Sequence, residues 1–212
     1  MILAPMPTKF VCSAFYQRAI TFICLLYCHV LVIATPVHLT DSIKTTLQPG
    51  DIIMRKGAGT LSYELMKVSG EEYSHCGIIV KYENELKVIQ SIGKSEDNPV
   101  DGVQLSSLDK FVKYTADSTL FICRQIIDTT KNDAIAERAF YYLNLHIPFD
   151  NRFDLTSAKE FYCSELLIHV FMDVLGDKVM DIRKQHKTYV PLFSSFFDEQ
   201  RFKAIFNLKK SS

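Results

Sequence analysis

Residues 73–92 read YSHCGIIVKYENELKVIQSI, two apolar runs separated by a short polar connection. Apolar, β-branched runs around such a connection predict a β-hairpin. We expect strands over residues 75–81 and 86–92, joined through Tyr82 to Glu85. His75 then begins a strand, so its side chain either faces a functional site or is an ordinary structural histidine.

The turn length of this hairpin decides which residues lie beside His75. A two-residue turn at Glu83-Asn84, or a four-residue loop, pairs residues whose numbers sum to 167. His75 then faces Ile92, and Gly77 faces Gln90, which places Gln90 diagonally next to His75 on one face. Gln90 would hold the imidazole in one tautomer. A three-residue loop would instead put Gln90 on the opposite face.

A second informative stretch is FYCSELL at residues 161–167, which leads into an apolar run. The pattern predicts a helix over residues 162–175 that is closed by Gly176, with Cys163 in its first turn. Free N–H groups and the helix dipole stabilise a thiolate at this position and lower its pKa. Cys163 is therefore a candidate nucleophile, although free cysteines are also common core residues.

The other predicted elements mix strands and helices without a linker or repeat. Strands are expected at residues 51–55 and 119–126, and helices at residues 61–68 and from an N-cap at Asn132 through Leu145. A strand-rich middle flanked by helices favours a single α+β domain over residues 35–212.

Residues 1–34 have the composition of a secretory leader. They contain Lys9 and Arg18, no acidic residue, and the apolar run AITFICLLYCHVLVIA, which ends at Ala34. We predict a signal peptide cleaved after Ala34, or else a retained N-terminal membrane anchor. Either outcome places the domain outside the cytoplasm, in the periplasm or at the envelope, and retention would add membrane association.

Composition narrows the possible partners and the role of the thiols. The 212-residue chain has 24 basic and 24 acidic residues, so its neutral charge gives no reason to bind nucleic acid. Loss of the leader leaves a charge of about −2 and three of six cysteines, namely Cys76, Cys123 and Cys163. We expect Cys76 and Cys123 in the core. No cysteine or histidine spacing indicates a metal site, and no cofactor is predicted.

Five segments together resemble the permuted papain-like amidases of the YiiX/YaeF type, which belong to the NlpC-related cysteine hydrolases. They are GDII at 50–53, YSHCGI at 73–78, VIQS at 88–91, PFD at 148–150 with Phe153-Asp154, and YCSEL at 162–166. The order of His before Cys is the specific feature, because ordinary papain-like enzymes place Cys first.

The resemblance implies a small antiparallel, barrel-like sheet packed on a central helix that carries the nucleophile. By position, Cys163 is the nucleophile, His75 the general base and Gln90 the orienting residue. Many relatives have Glu at the third position, and neutral Gln90 cannot offset an imidazolium charge. The oxyanion would be held by the Cys163 backbone N–H and a second donor, for which Tyr73 and Tyr162 are candidates.

These residues predict an exported cysteine hydrolase that cleaves an amide bond, with cell-wall peptide or another short peptide as substrate. Two alternatives remain open at this point. One is acyl transfer or lipid hydrolysis on the same fold, and the other is a catalytically silent binding module.

Overall fold

The structure is a computed structural model that describes residues 37–95, 97–157, 159–177, 179–185 and 188–209. The predicted leader lies outside these ranges, so its role as signal peptide or anchor stays a prediction. Within the described ranges, no helix combines the length and apolar character needed to cross a membrane.

In the described part of the chain, eight strands form two antiparallel sheets. Their bounds are β1 Ile52–Gly57, β2 His75–Tyr82, β3 Glu85–Ile92, β4 Gly102–Ser107, β5 Thr115–Gln125, β6 Ile182–Gln185, β7 Thr188–Pro191 and β8 Phe202–Leu208. The main sheet has the order β4-β3-β2-β1-β5-β8, and β6 pairs with β7 in a separate hairpin. Strand β2 thus lies inside the sheet, between β1 and β3.

Five α-helices accompany the sheets in the described residues. They are α1 Asp41–Lys44, α2 Thr60–Ser69, α3 Leu108–Lys113, α4 Asn132–Asn144 and α5 Cys163–Leu175. Helices α4 and α5 pack against each other, and α5 packs on β2 and β3. Helix α3 contacts β3, β4 and β5. This arrangement is the α+β fold that the sequence predicts, with the cysteine-bearing helix against the central strands.

The main sheet lies between two apolar clusters, one that includes α5 and one that includes α3. Ile78 and Val80 of β2 belong to the first cluster, and Ile79 belongs to the second. A strand buried on both faces needs apolar residues at consecutive positions. This explains why β2 has an uninterrupted apolar run rather than alternating polar and apolar residues.

The hairpin of β2 and β3 has the register that places Gln90 beside His75. Its pairs run from Ile78 with Ile89 to Tyr82 with Glu85, so paired numbers sum to 167, which confirms the predicted register. The two-residue turn at Glu83-Asn84 has φ values of 51° and 63°, as a type I′ turn requires. A Cβ at Gly77 would lie only 2.5 Å from Val88 Cγ1, so glycine allows this close pairing.

The structure differs from the prediction in several elements. Strand β5 begins at Thr115, and Lys131 rather than Asn132 holds the N-cap position of α4. Asn132 instead accepts a hydrogen bond from Gln125 Nε2 at 2.6 Å. Strand β4, helix α3 and the C-terminal strands were not predicted, because their short mixed patterns depend on partners distant in the sequence.

Candidate active site

The N-terminus of α5 lies beside the start of β2, and this contact brings Cys163 to the predicted base. Cys163 is the first residue of α5, after the N-cap Tyr162. Its Sγ lies 4.0 Å from the carbonyl oxygen of Ser74, the residue before His75. The cysteine is buried but still lines a cleft together with His75 and Gln90. The structure therefore brings all three predicted catalytic residues together.

The His75 ring is held by a chain of side chains. Its Nε2 lies 2.6 Å from Gln90 Oε1, and Gln90 Nε2 donates to Ser106 Oγ at 2.7 Å. Phe111 of α3 stacks on the ring with centroids 5.4 Å apart. Because an amide oxygen only accepts, Nε2 carries the proton that it donates to Gln90. The remaining nitrogen, Nδ1, is then free to act as a base.

The surroundings of Cys163 favour its thiolate. Hydrogen bonding with the Cys76 side chain, the hydrogen bond and charge of His75, and the Cys76 backbone together lower the pKa of Cys163, although burial raises it. Cys76 is the protonated partner, because burial and its contact with Cys163 raise the pKa of Cys76. Cys76 thus acts as a neutral donor to the Cys163 sulfur.

The remaining cysteines and His169 have structural positions. Cys76 and Cys123 are fully buried free thiols within apolar clusters, as the sequence predicts, and burial raises the pKa of Cys123. His169 stacks on Phe161 with centroids 4.3 Å apart and does not line the cleft. Cys163 is therefore the cysteine whose surroundings favour reaction.

Both candidate oxyanion tyrosines line the cleft, and both are largely buried. Tyr73 packs against Phe121 and Phe197, and burial raises its pKa to about 12. Tyr162 packs on Phe153, and burial with the nearby Glu165 raises its pKa. Both hydroxyls therefore keep their protons at neutral pH, which a donor requires, and the choice between them stays a prediction.

The cleft has a volume of about 980 Å³ and mainly apolar walls. Leu61, Leu65 and Val68 of α2 line one part, and Tyr189 and Val190 of β7 line another. Leu61 and Tyr189 are about half exposed, at 54% and 47%. Large exposed apolar side chains around a concave site are typical of ligand-binding clefts.

Four residues of the site were not found from the sequence. Ser106 fixes Gln90, Phe111 supports His75, Cys76 donates to Cys163, and Arg55 lies beside His75 as its direct partner on β1. A predicted β1–β2 pairing would have revealed Arg55. Ser106 lies in β4 and Phe111 lies in α3. Neither element was predicted, because its sequence pattern is weak.

Comparisons with known proteins agree with this architecture. A structure described as metalloprotein yiiX from Escherichia coli O157:H7 is similar, with 19% identity, a TM-score of 0.63, and coverage of 76% of this chain and 97% of that chain. In the described ranges of the present chain, no group of three or more His, Cys, Asp or Glu residues could hold a metal ion. The comparison with curated proteins finds no match.

The family comparison covers the sheet and the site together. Residues 46–200 match the model of the permuted papain-like amidase family, YaeF/YiiX, C92. This range includes His75, Gln90 and Cys163, and the family supports a hydrolase of the amidase type. The chain belongs to the permuted papain-like amidases of the C92 family.

Proposed function

We propose that this protein is a cysteine amidase in which Cys163 is the nucleophile, His75 the general base and Gln90 the residue that orients the imidazole. The main support is the 2.6 Å contact between His75 Nε2 and Gln90 Oε1, which leaves Nδ1 free beside a cysteine of lowered pKa. A base oriented by a third group next to a nucleophile is the arrangement that covalent hydrolysis needs.

The proposed reaction has two steps. His75 takes the thiol proton, and the Cys163 sulfur attacks the carbonyl carbon while the helix N-terminus stabilises the oxyanion. The C–N bond then breaks, and the leaving amine takes the proton from His75. Water next attacks the thioester with His75 as base, which releases the acid and restores the thiol.

Neutral Gln90 changes how the charges of this pair are balanced. An orienting carboxylate would stabilise the imidazolium, whereas an amide oxygen offers only its dipole. In this protein the thiolate side has additional hydrogen bonds, from the side chain and backbone of Cys76. We propose that these donors partly compensate for the missing carboxylate, because they stabilise the thiolate instead of the imidazolium.

Cell-wall peptide is the substrate predicted from the leader and the family, and we retain it as the first candidate. The apolar cleft favours a second candidate, an amide or ester with a hydrocarbon acyl group. The side chains of Leu61, Leu65 and Val68 can pack on such a chain, whereas they form no hydrogen bonds with a polar stem peptide. Hydrolysis rates for a panel of cell-wall peptides and for a series of N-acyl amides of increasing chain length discriminate these two substrate classes. Rates that rise with acyl length favour the hydrocarbon acyl group, and faster cleavage of the peptides favours the cell wall.

Selective alkylation tests the proposed nucleophile. At pH 7 we expect iodoacetamide to label Cys163 at least about 10-fold faster than Cys76 or Cys123, because only Cys163 has a lowered pKa. Peptide mass spectrometry locates the label. Cys163→Ala should abolish hydrolysis, and Cys123→Ala serves as the matched control. Hydrolysis that survives Cys163→Ala would contradict Cys163 as the nucleophile. Equal labelling of the three thiols, together with no hydrolysis by the wild type, would favour the silent binding module.

We also propose that the protein is exported. The basic, acid-free start and the apolar run up to Ala34 support this. Intact mass and N-terminal sequencing of protein recovered from the envelope test it. A mature N-terminus at Thr35 supports cleavage, an uncut chain in the membrane fraction supports the anchor, and recovery in the cytoplasm alone contradicts export.

A further inference from the structure

Arg55 is a buried cation beside the proposed base, and it lacks an acidic partner in the described structure. It is 5% exposed, and none of the described carboxylates forms an ion pair with it. Its NH1 donates to the carbonyl of Tyr114, and its guanidinium lies 4.9 Å from the Phe111 ring centroid. Its buried Nε has no hydrogen-bond partner among the described residues. Burial lowers the pKa of Arg55 to about 10, so it is still charged at neutral pH.

An unpaired buried charge is costly, and buried arginines are normally satisfied by a carboxylate or phosphate. Here the surrounding protein supplies one carbonyl, aromatic rings and the charge of the nearby Cys163 sulfur, but no carboxylate among the described residues. The Cys163 charge is lost when its sulfur forms a bond to the substrate. Arg55 also lines the same cleft as Cys163. The missing anion could therefore come from a ligand in that cleft.

The strand register places Arg55 next to the reacting atoms. Arg55 of β1 pairs directly with His75 of β2, so the two side chains share a face. Gln90 flanks His75 from β3 on the other side. Because His75 gives its proton to the leaving amine, a group bound by Arg55 lies beside that amine.

The charged residues that line the rest of the cleft also favour an anionic ligand. Among its described lining residues, Arg55, Lys94, Lys110 and Arg152 are basic, whereas Glu64 and Asp97 are acidic. Arg152 lies 3.5 Å from Glu160, and the other basic groups add positive potential around an otherwise apolar cleft.

We propose that Arg55 forms an anion subsite, which binds a carboxylate or phosphate on the leaving-amine side of the amide that Cys163 attacks. This proposal rests on the proposed function and narrows its substrate to amides whose amine part is acidic. The guanidinium fork forms directed, charge-assisted hydrogen bonds with such a group.

Two alkylating reagents test the subsite without any substrate. Iodoacetate and iodoacetamide attack the same thiolate, so the ratio of their rates at Cys163 is independent of the fraction ionised. Arg55 attracts the anionic reagent towards the thiolate, whereas His75 stays beside Cys163 in every variant and contributes equally to each ratio. We expect the iodoacetate to iodoacetamide ratio to fall about 10-fold in Arg55→Gln and less in Arg55→Lys. Lys203→Gln, on an exposed residue outside the cleft lining, is the charge-matched control and should change the ratio less than about 3-fold.

A binding measurement covers the case in which Cys163 proves unreactive. In the Cys163→Ala protein we expect calorimetry to show N-octanoylglycine binding at least about 10-fold tighter than N-octanoylglycinamide, and Arg55→Gln to remove that preference. Octanoyl phosphoethanolamine tests phosphate as the anion. Equal affinity for the acid and the amide, or an unchanged preference in Arg55→Gln, would overturn the subsite. Loss of thiol reactivity with retained anion preference would instead contradict only the proposed hydrolysis.

Thermal unfolding separates this role from a structural one. If Arg55 only fixes α3 through Tyr114, then Arg55→Gln lowers the Tm and slows both reagents equally. An unchanged rate ratio with a lowered Tm therefore contradicts the subsite.

Discussion

At the level of single residues, the side-chain amide of Gln90 forms two hydrogen bonds that organise the site. Its Oε1 contacts His75 and its Nε2 donates to Ser106, so the amide is fixed at both ends. A fixed acceptor holds the imidazole in the tautomer with the proton on Nε2. The site therefore depends on the orientation of a neutral group rather than on its charge.

We expect Gln90→Ala to lower kcat about 10- to 100-fold, the equivalent of about 1.5–3 kcal/mol for a hydrogen bond to a charged group. Ser106→Ala should cause a smaller loss, because Gln90 keeps its contact with His75. Steady-state kinetics on the best amide substrate provide the measurement. Gln104→Ala is the control, since Gln104 is also buried and pairs with Gln90 but bonds only backbone carbonyls. Equal losses in Gln90→Ala and Gln104→Ala would contradict the orienting role.

At the scale of an element, the first turn of α5 contains a carboxyl group in an unusual state. Glu165 Oε2 accepts the Tyr162 N–H at 3.1 Å, while Oε1 is buried with no partner among the described residues. Burial, with contributions from Asp150 and Asp154, raises the pKa of Glu165 to about 8. A protonated Glu165 caps the helix without placing a negative charge beside the Cys163 thiolate.

The raised pKa predicts a pH dependence of stability. Between pH 4.5 and about 8 the folded protein keeps a proton on Glu165 that the unfolded chain has lost, so this residue contributes less stability as the pH rises. We expect the urea midpoint of the wild type to fall more between pH 5 and 9 than that of Glu165→Gln. The exposed Glu199→Gln is the control. Parallel pH profiles for wild type and Glu165→Gln would show that Glu165 does not carry the effect.

At the scale of the whole molecule, a buried ion pair joins distant parts of the chain. Asp51, fully buried before β1, accepts from Arg124 of β5 at 2.6 Å and 2.9 Å and from the Gln48 N–H. Arg124 also donates to the carbonyl of Thr46. Asp51 lies in the GDII motif, and these contacts give it a structural role in fixing the loop before β1.

Loss of one partner from this pair should be severe. We expect Arg124→Met to lower the free energy of unfolding by about 3–5 kcal/mol at neutral pH, because it leaves a buried carboxylate unpaired. Urea unfolding measures the change, and adding Asp51→Asn should recover part of it. Arg201→Met is the matched control, since the Arg201–Asp177 pair is more exposed and should contribute only about 0–1 kcal/mol. A similar small loss in both variants would contradict the structural role of Asp51.

The sequence alone predicted the hairpin, the helix with Cys163 in its first turn and the α+β class. The turn and the apolar runs are local, so short-range periodicity limited the hairpin to a few registers. The structure has the register with a two-residue turn at Glu83-Asn84, which places Gln90 beside His75. The same local signals placed Cys76 and Cys123 in the core.

Only the tertiary structure decided what surrounds these residues. Arg55 reaches His75 through the β1–β2 pairing, Ser106 reaches Gln90 through β4, and Phe111 reaches the His75 ring through α3. None of these contacts leaves a periodic signal, because each depends on segments brought together by burial of two apolar clusters. Local sequence therefore determined which residues can react, whereas long-range packing determined their hydrogen bonds, their pKa values and the charge of the cleft they share.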